Sequence, residues 1–252
     1  MFSLLSDIKK LGRPLILAHR GSQLIAHFPE NTVPAFQEAC QLGADGFELD
    51  IRQTKDGEIV VFHDQTLKRL LGKKGSIESL NCSNLQTFQF ISSSNQEPIK
   101  IPSLAEVFNQ FRDRVYYNIE VKKRASGYQT LCNKLVALIE KYGLDYRVWV
   151  SSFDPEFLIQ WDTQRTGIPG ALIFDVWNLG MLAKCKADYV HWLHPSIRLM
   201  KHFKNLRSLK KPLGVWTVNT VSEIQLLKSW EVAAIITDDV PTVRREYIRE
   251  NN

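Results

Sequence analysis

Four extended segments of this chain run apolar and then end in charged residues that packing alone does not require. "LILAHRG" delivers His19 and Arg20, "GFELDI" delivers Glu48 and Asp50, "EIVVFHD" ends at His63 and Asp64, and "VYYNIEV" delivers Glu120 with Lys122 behind it. Residues two apart on a strand point to one side, so Glu48 can share a face with Asp50 and Glu120 with Lys122. Three carboxylates without cysteine suit a hard divalent cation, Mg²⁺ or Ca²⁺, with coordination left for water or phosphate. Two histidines beside such a cation suit general acid and general base work near neutral pH. An arginine and a lysine suit a phosphate, one as a planar fork and the other as a point charge. The combination is equipment for metal-assisted phosphoryl transfer. Each piece alone has a plainer meaning: an acidic pair at a strand end meets solvent, and a histidine after a strand, such as His191 or His194, is structural. Convergence of all four segments is what favours chemistry, because half-buried charges are costly unless paired or metal-bound.

Such a site needs strands whose ends meet. Candidate strands lie at 15–21, 46–51, 58–64, 115–121, 148–153, 170–175, 188–193, 213–219 and 233–238, with helix-compatible sequence between most of them. In "GYQTLCNKLVALIEKYG", Leu131, Leu135, Leu138 and Ile139 recur on one face and Gly143 supplies a stop. Alternating β and α units predict parallel strands with crossover helices. Nine strands are one too many for an eightfold barrel. The link from Asp50 to Glu58 is too short for a crossover helix, however, and Asp56-Gly57 signals a tight turn. The 58–64 segment is therefore read as the second arm of a hairpin-like excursion outside the barrel. Eight βα units remain, which predicts an α/β (β/α)8 TIM barrel with an insertion after the hairpin. An open doubly wound sheet is the alternative, weakened because no G-x-G-x-x-G follows the first strand. The insertion, at about 65–112, is rich in Ser, Asn and Gly and broken by Pro98 and Pro102. Helix resumes at "SLAEVFNQF", where Ser103 and Glu106 form a capping box. No internal repeat or linker divides the chain, so residues 1–252 are expected to form a single domain.

Composition is that of an ordinary globular protein, 44% hydrophobic and 23% charged, and 252 residues bury a core without staples. Cys40, Cys82, Cys132 and Cys185 are widely spaced, which suggests reduced thiols and a cytoplasmic setting. "MFSLLSDIKKLGRP" lacks a long apolar core and reads poorly as a signal peptide, and no membrane span is expected. The net charge of +5 is mild. Basic "LMKHFKNLRSLKK" (199–211) spaces Met200, Phe203, Leu206 and Leu209 helically, which reads as an outer barrel helix with a solvated face rather than a nucleic-acid site.

"AHRG", "PENT", "GADGFELDIRQTKDGEIVVFHD", "IEVK", "SSF", "WTVN" and "IITD", in that order, resemble the glycerophosphodiester phosphodiesterase family across residues 15–240. The resemblance implies a phospholipase-C-like (β/α)8 barrel. It also implies hydrolysis of small-molecule glycerophosphodiesters to glycerol 3-phosphate and an alcohol, in glycerol and lipid metabolism. On matching positions it implies His19 and His63 as acid/base histidines, and Glu48, Asp50 and Glu120 as ligands of a divalent metal. It further implies Arg20 and Lys122 as phosphate-holding groups and Trp216 as a wall of the substrate pocket, where a core aromatic is an equal reading. In the family, the substrate's own glycerol hydroxyl can attack to give a cyclic phosphate that water opens. Glu30 and Asn31 either shape the mouth or, for Asn31, cap a helix that accepts Pro34 in its first turn. Asp64 is read more as a turn cap than as a partner of His63. "TDDVP" carries one residue more than the family's ending, so neither Asp238 nor Asp239 receives a role, and His27 receives none.

Two other readings keep the barrel. A lysophospholipase D-like or sphingomyelinase D-like enzyme would act on membrane lipids, with apolar surface at the mouth for which "FQFISSS" (88–94) is a source if not packed under the insertion. An inactive phosphate-binding barrel would have no evident need for both histidines.

Overall fold

A computed structural model describes residues 2–21, 27–90 and 98–248 of the chain. Nine strands form one sheet: β1 Leu15–His19, β2 Gly46–Gln53, β3 Ile59–Val61, β4 Tyr116–Val121, β5 Val148–Ser152, β6 Gly170–Phe174, β7 Trp192–Pro195, β8 Gly214–Val215 and β9 Ala234–Thr237. Eight of them run parallel in the order β7-β6-β5-β4-β2-β1-β9-β8. Single parallel bridges Leu193 to Leu213 and Ser196 to Trp216 bring the two ends of that row together. The result is the nearly closed (β/α)8 barrel expected. Among the described strands β3 pairs only with β2, antiparallel with Ile51 opposite Val61, and so is the hairpin's outer arm. Its turn is closed by Thr54, whose hydroxyl meets Asp56 at 2.5 Å and accepts from the Glu58 amide at 2.9 Å.

Alternation along the strands separates two cores. Ile16, Ala18, Phe47, Leu49, Ile51, Tyr117, Ile119, Val121, Val148 and Val150 face outward, under the helices. Leu15, Leu17, Tyr116, Trp149, Ala171, Trp192, Ala234 and Ile236 fill the barrel's lower interior, where Leu4 and Ile8 of the helix Phe2–Lys10 join them. Period-two alternation then puts His19, Glu48, Asp50 and Glu120 on the inward side near the carboxyl ends of β1, β2 and β4. Those are strand ends at which barrel chemistry gathers.

Two strands differ from expectation. β7 begins at Trp192 rather than at 188, because residues 187–190 form the turn that ends the helix Leu179–Lys186. Pairing with β6, Ala171 opposite Trp192 through Phe174 opposite Pro195, sets its register. β8 is two residues long, and beyond it Trp216 makes only the single bridge to Ser196. The helix Gln129–Tyr142 buries Leu131, Leu135 and Ile139 and ends at Gly143 with φ +64°, as its spacing predicts. Met200, Phe203 and Leu206 are likewise buried, leaving the basic side of that segment outward. The capping box of Ser103 and Glu106 opens the helix Leu104–Phe111.

Much of the insertion has its own apolar centre. Its short helices, Lys68–Leu71, Ile77–Ser79 and Cys82–Leu85, pack Leu67, Leu71, Ile77, Leu85 and Phe90 against Val60 and Phe62 of the hairpin arm and its extension. Phe88 and Phe90 of "FQFISSS" belong to this cluster, and residues 91–94 lie outside the described residues. Phe88 and Phe90 therefore pack under the insertion.

Candidate active site

β1 and β2 run side by side with His19 opposite Glu48, so the first histidine meets the first carboxylate by register alone. β2 pairs Asp50 with Glu120 of β4. One oxygen from each of Glu48, Asp50 and Glu120 lies within 4.8 Å of the others, and all three residues are buried. Glu48 Oε2 is buried without a hydrogen-bond partner among the described residues. Burial and the neighbouring Asp50 push the Glu48 carboxyl up to about 8, and the same two causes raise Glu120. Crowded carboxylates with an unpartnered oxygen are what a hard divalent cation relieves, so these residues fit one.

Asp50 departs from its neighbours in electrostatics. Burial alone would raise it, but Lys122 Nζ at 2.7 Å and Arg20 Nε at 3.1 Å hold it well below the usual carboxylate range. Lys122 also pairs with Glu120. The guanidinium and the ammonium thus flank the carboxylate cluster.

Backbone geometry explains "HRG". Arg20 has φ +52° and Gly21 φ +96°, and a Cβ on Gly21 would lie 2.6 Å from Ala35 Cβ, so glycine is required there. This turn brings "PENT" back against the strand ends: the Asn31 amide donates to Arg20 O at 2.8 Å. Asn31, at φ +60°, does not cap the following helix. Thr32 does, accepting from the Ala35 amide, while Asn31 Nδ2 donates to Asp50 Oδ2 at 2.8 Å and its Oδ1 accepts from the Asp50 amide. Glu30 accepts from Arg20 at 3.2 Å and from both terminal nitrogens of Arg69 at 2.7 and 2.9 Å.

Both histidines are held at Nδ1. His19 Nδ1 lies 2.6 Å from Asp238 Oδ1, and Asp238 in turn accepts from Asn219 Nδ2 at 2.7 Å. Burial opposes a proton on His19, but Asp238 and Glu48 overcome it and raise its pKa. His19 Nε2 faces the carboxylates, 3.9 Å from Glu48 Oε2. His63 Nδ1 meets Asp64 Oδ1 at 2.7 Å, so Asp64 is a partner of that ring as well as an acceptor from Arg69. Burial lowers the His63 pKa.

Asp238 is the residue that the sequence reading left without a role. The signal was available in register: β9 pairs with β1, Ala18 opposite Thr237, so the residue after Thr237 must lie beside His19. Its neighbour Asp239 instead accepts from the Thr242 amide at the start of the last helix. His191 and His194 lie away from the carboxylates. His191 Nδ1 accepts from the Gly170 amide, and His194 is fully buried between Trp149 and Trp192. His27 pairs with Glu38 on the surface. Trp216 is half-buried; its Nε1 donates to His194 O at 2.8 Å and its ring meets Phe153 edge-on at 5.6 Å. A cavity of about 480 Å³ opens beside the carboxylates, with Glu120, Lys122, Arg52, Arg124, Ser152 and Phe153 in its wall.

The chain is similar to known proteins over most of its length. The profile of the glycerophosphoryl diester phosphodiesterase family matches residues 19–242. A glycerophosphodiester phosphodiesterase of Caldanaerobacter subterraneus subsp. tengcongensis is 29% identical over 239 residues, covering 92% of this chain and 96% of the relative. The crystal structure of a glycerophosphodiester phosphodiesterase from Thermotoga maritima superposes with a TM-score of 0.74 at 27% identity, covering 92% of this chain and 98% of the other. An Oleispira antarctica phosphodiesterase, solved in complex with its product sn-glycerol-3-phosphate, shares the fold with a TM-score of 0.81 at 20% identity, over 95% and 98% of the two chains.

Proposed function

This chain belongs to the glycerophosphoryl diester phosphodiesterase family, and on that premise we propose that it hydrolyses glycerophosphodiesters to glycerol 3-phosphate and an alcohol with the help of a divalent metal. The observation that carries the reading is the meeting of Glu48, Asp50 and Glu120 between two histidines whose Nδ1 atoms are both engaged by aspartates. Mg²⁺ or Ca²⁺ held by the three carboxylates would supply Lewis-acid polarisation of a phosphodiester oxygen. Arg20 and Lys122 seat the phosphate, and Asn31 holds Asp50 in place within the carboxylate cluster. Because each Nδ1 is occupied, Nε2 is the working nitrogen of each ring. One histidine takes the proton from the attacking hydroxyl, and the other returns a proton to the leaving alcohol. Trp216 and Phe153 form an apolar wall that suits the carbon skeleton of glycerol. The four free cysteines fit a reducing, cytoplasmic setting, and no helix among the described residues is long and apolar enough to cross a membrane.

The test is an assay of purified protein on glycerophosphodiesters with and without chelator, quantifying glycerol 3-phosphate and free alcohol. Cleavage is expected to stop on metal removal and to return on adding Mg²⁺ or Ca²⁺. His19→Ala is expected to lose about 10²–10⁴-fold in kcat while keeping the wild-type circular dichroism. Chelator-insensitive turnover, or full activity without the His19 ring, would reject the mechanism.

A second substrate reading has one observation of its own. Phe153, Val176 and Leu179, in or just after the loops that follow β5 and β6 at the barrel mouth, are 47%, 52% and 86% exposed. That apolar rim suits a lysophospholipase D-like or sphingomyelinase D-like substrate, and faster cleavage of lysophosphatidylcholine than of glycerophosphocholine would favour it.

A further inference from the structure

The cavity beside Glu120 is wider than the scissile phosphate needs, and its wall is basic. Arg52, Lys122, Lys123 and Arg124 line it, and Glu120 is the only carboxylate among the described residues that do. Lys122 is committed to Asp50 and Glu120. Arg52 donates from Nε to His63 O at 2.9 Å and stands 3.8 Å from Glu78. Among the described residues Arg124 meets only neutral acceptors, Gln53 Oε1 and, at 2.6 Å, Ser126 Oγ. Lys123 is exposed and makes no ion pair among the described residues. Two cations without a carboxylate partner among the described residues therefore sit directly after Lys122 on the β4 loop.

In the reading above the scissile phosphodiester is seated by Arg20 and Lys122, which also pair with the buried carboxylates, and Lys123 and Arg124 take no part in holding it. Like charges gathered in one recess repel each other and focus a field that recruits anions. From these two cations we infer that the cavity receives an anionic group on the alcohol half of the substrate, a carboxylate or a second phosphate. The inference rests on the phosphodiesterase reading above and specifies its substrate class. A cationic choline head would meet two unneutralised cations there, whereas an anionic head finds in Arg124 a fork suited to oxyanions. Gln53 and Ser126 hold that fork without neutralising it.

The experiment measures kcat/KM at low ionic strength with Mg²⁺ for four substrates: glycerophosphocholine, glycerophosphoglycerol, glycerophosphoserine and glycerophosphoinositol 4-phosphate. Glycerophosphoserine brings a carboxylate beside its ammonium, and glycerophosphoinositol 4-phosphate a second phosphate, so the two sources of charge are separated. The better anionic substrate is expected to exceed glycerophosphoglycerol by roughly five- to tenfold, with glycerophosphocholine slowest, and added KCl should shrink the ratio. Lys123→Gln combined with Arg124→Gln should bring the anionic-to-neutral ratio close to one. Arg124→Lys, which keeps the charge and loses the fork, should retain most of the preference and so separates charge from misfolding. Equal or better cleavage of the neutral and choline substrates by the wild type would overturn the inference, as would an unchanged ratio in the double variant. Failure to cleave any of the four would instead remove the phosphodiesterase reading and this inference with it.

Discussion

At the scale of residues, the site is organised by two aspartates outside the cluster of Glu48, Asp50 and Glu120. Asp238 and Asp64 each engage the Nδ1 of a histidine, and each is itself held, by Asn219 and by Arg69. The histidines, the three clustered carboxylates and Lys122 were legible in the sequence because strand periodicity and residue type both point to them. Asp238 was not, because "TDDVP" offers two adjacent aspartates, and only the pairing of β9 with β1 decides which one meets His19. Of the two readings open for Asn31, mouth residue or helix cap, the cap falls for a similar reason: its neighbour Thr32 is an equally good cap, and the left-handed turn at Asn31 sends the amide to Asp50 instead. Asp238→Asn conserves size but replaces the anion that favours the His19 imidazolium. It is expected to lower kcat by roughly 10²-fold or more, with little change in KM, and the pH-rate profile should shift along with it. Unchanged kcat and an unchanged profile would reduce Asp238 to a structural neighbour.

At the scale of elements, the insertion does more than cover the barrel. Arg69, on the four-residue helix Lys68–Leu71, binds both oxygens of Asp64 and both oxygens of Glu30 at 2.7–2.9 Å. Asp64 holds His63 and Glu30 holds Arg20, so one guanidinium braces loops that follow β1 and β3. The sequence could place this insertion but could not resolve it: helices of three or four residues show no periodicity, and their order comes from packing on Val60 and Phe62 of the hairpin. Arg69 is 48% exposed at its side chain, so its loss should cost little stability while loosening two active groups. Arg69→Met is expected to lower kcat by about 10–100-fold, the usual range for groups that orient first-contact residues. Thermal midpoints should stay near wild type, and added guanidine should restore part of the rate. A variant with wild-type kcat, or one whose loss follows its melting temperature and resists guanidine, would show that Arg69 only ties down the insertion.

At the scale of the whole molecule, the barrel was readable because alternating apolar patterns and one impossible crossover fix eight parallel strands and one hairpin arm. What the pattern could not fix was the register of β7, and with it the place of His194. That histidine sits wholly inside the barrel; Trp149 Nε1 donates to its Nε2 at 3.3 Å, and a Cβ on Gly214 would come within 2.6 Å of the same nitrogen. Burial without a charged partner pushes its pKa down to about 3. The folded protein therefore holds His194 neutral, while the unfolded chain takes up a proton below the ordinary histidine pKa of about 6.5. Stability from this group is complete above that value and drains away as pH falls toward about 3. The raised carboxyls of Glu48 and Glu120 act in the opposite sense, protonating more readily in the fold, so wild-type stability alone would mix the two effects. His194→Gln separates them, since glutamine does not titrate and keeps a polar group for Trp149. Relative to that variant, wild-type unfolding free energy from urea titrations should fall by about 2–3 kcal/mol between pH 7 and pH 4.5, at about 1.4 kcal/mol per pH unit. Parallel curves for the two proteins over that range would mean that His194 reaches solvent protons in the fold, and that the barrel interior is less closed than its packing indicates.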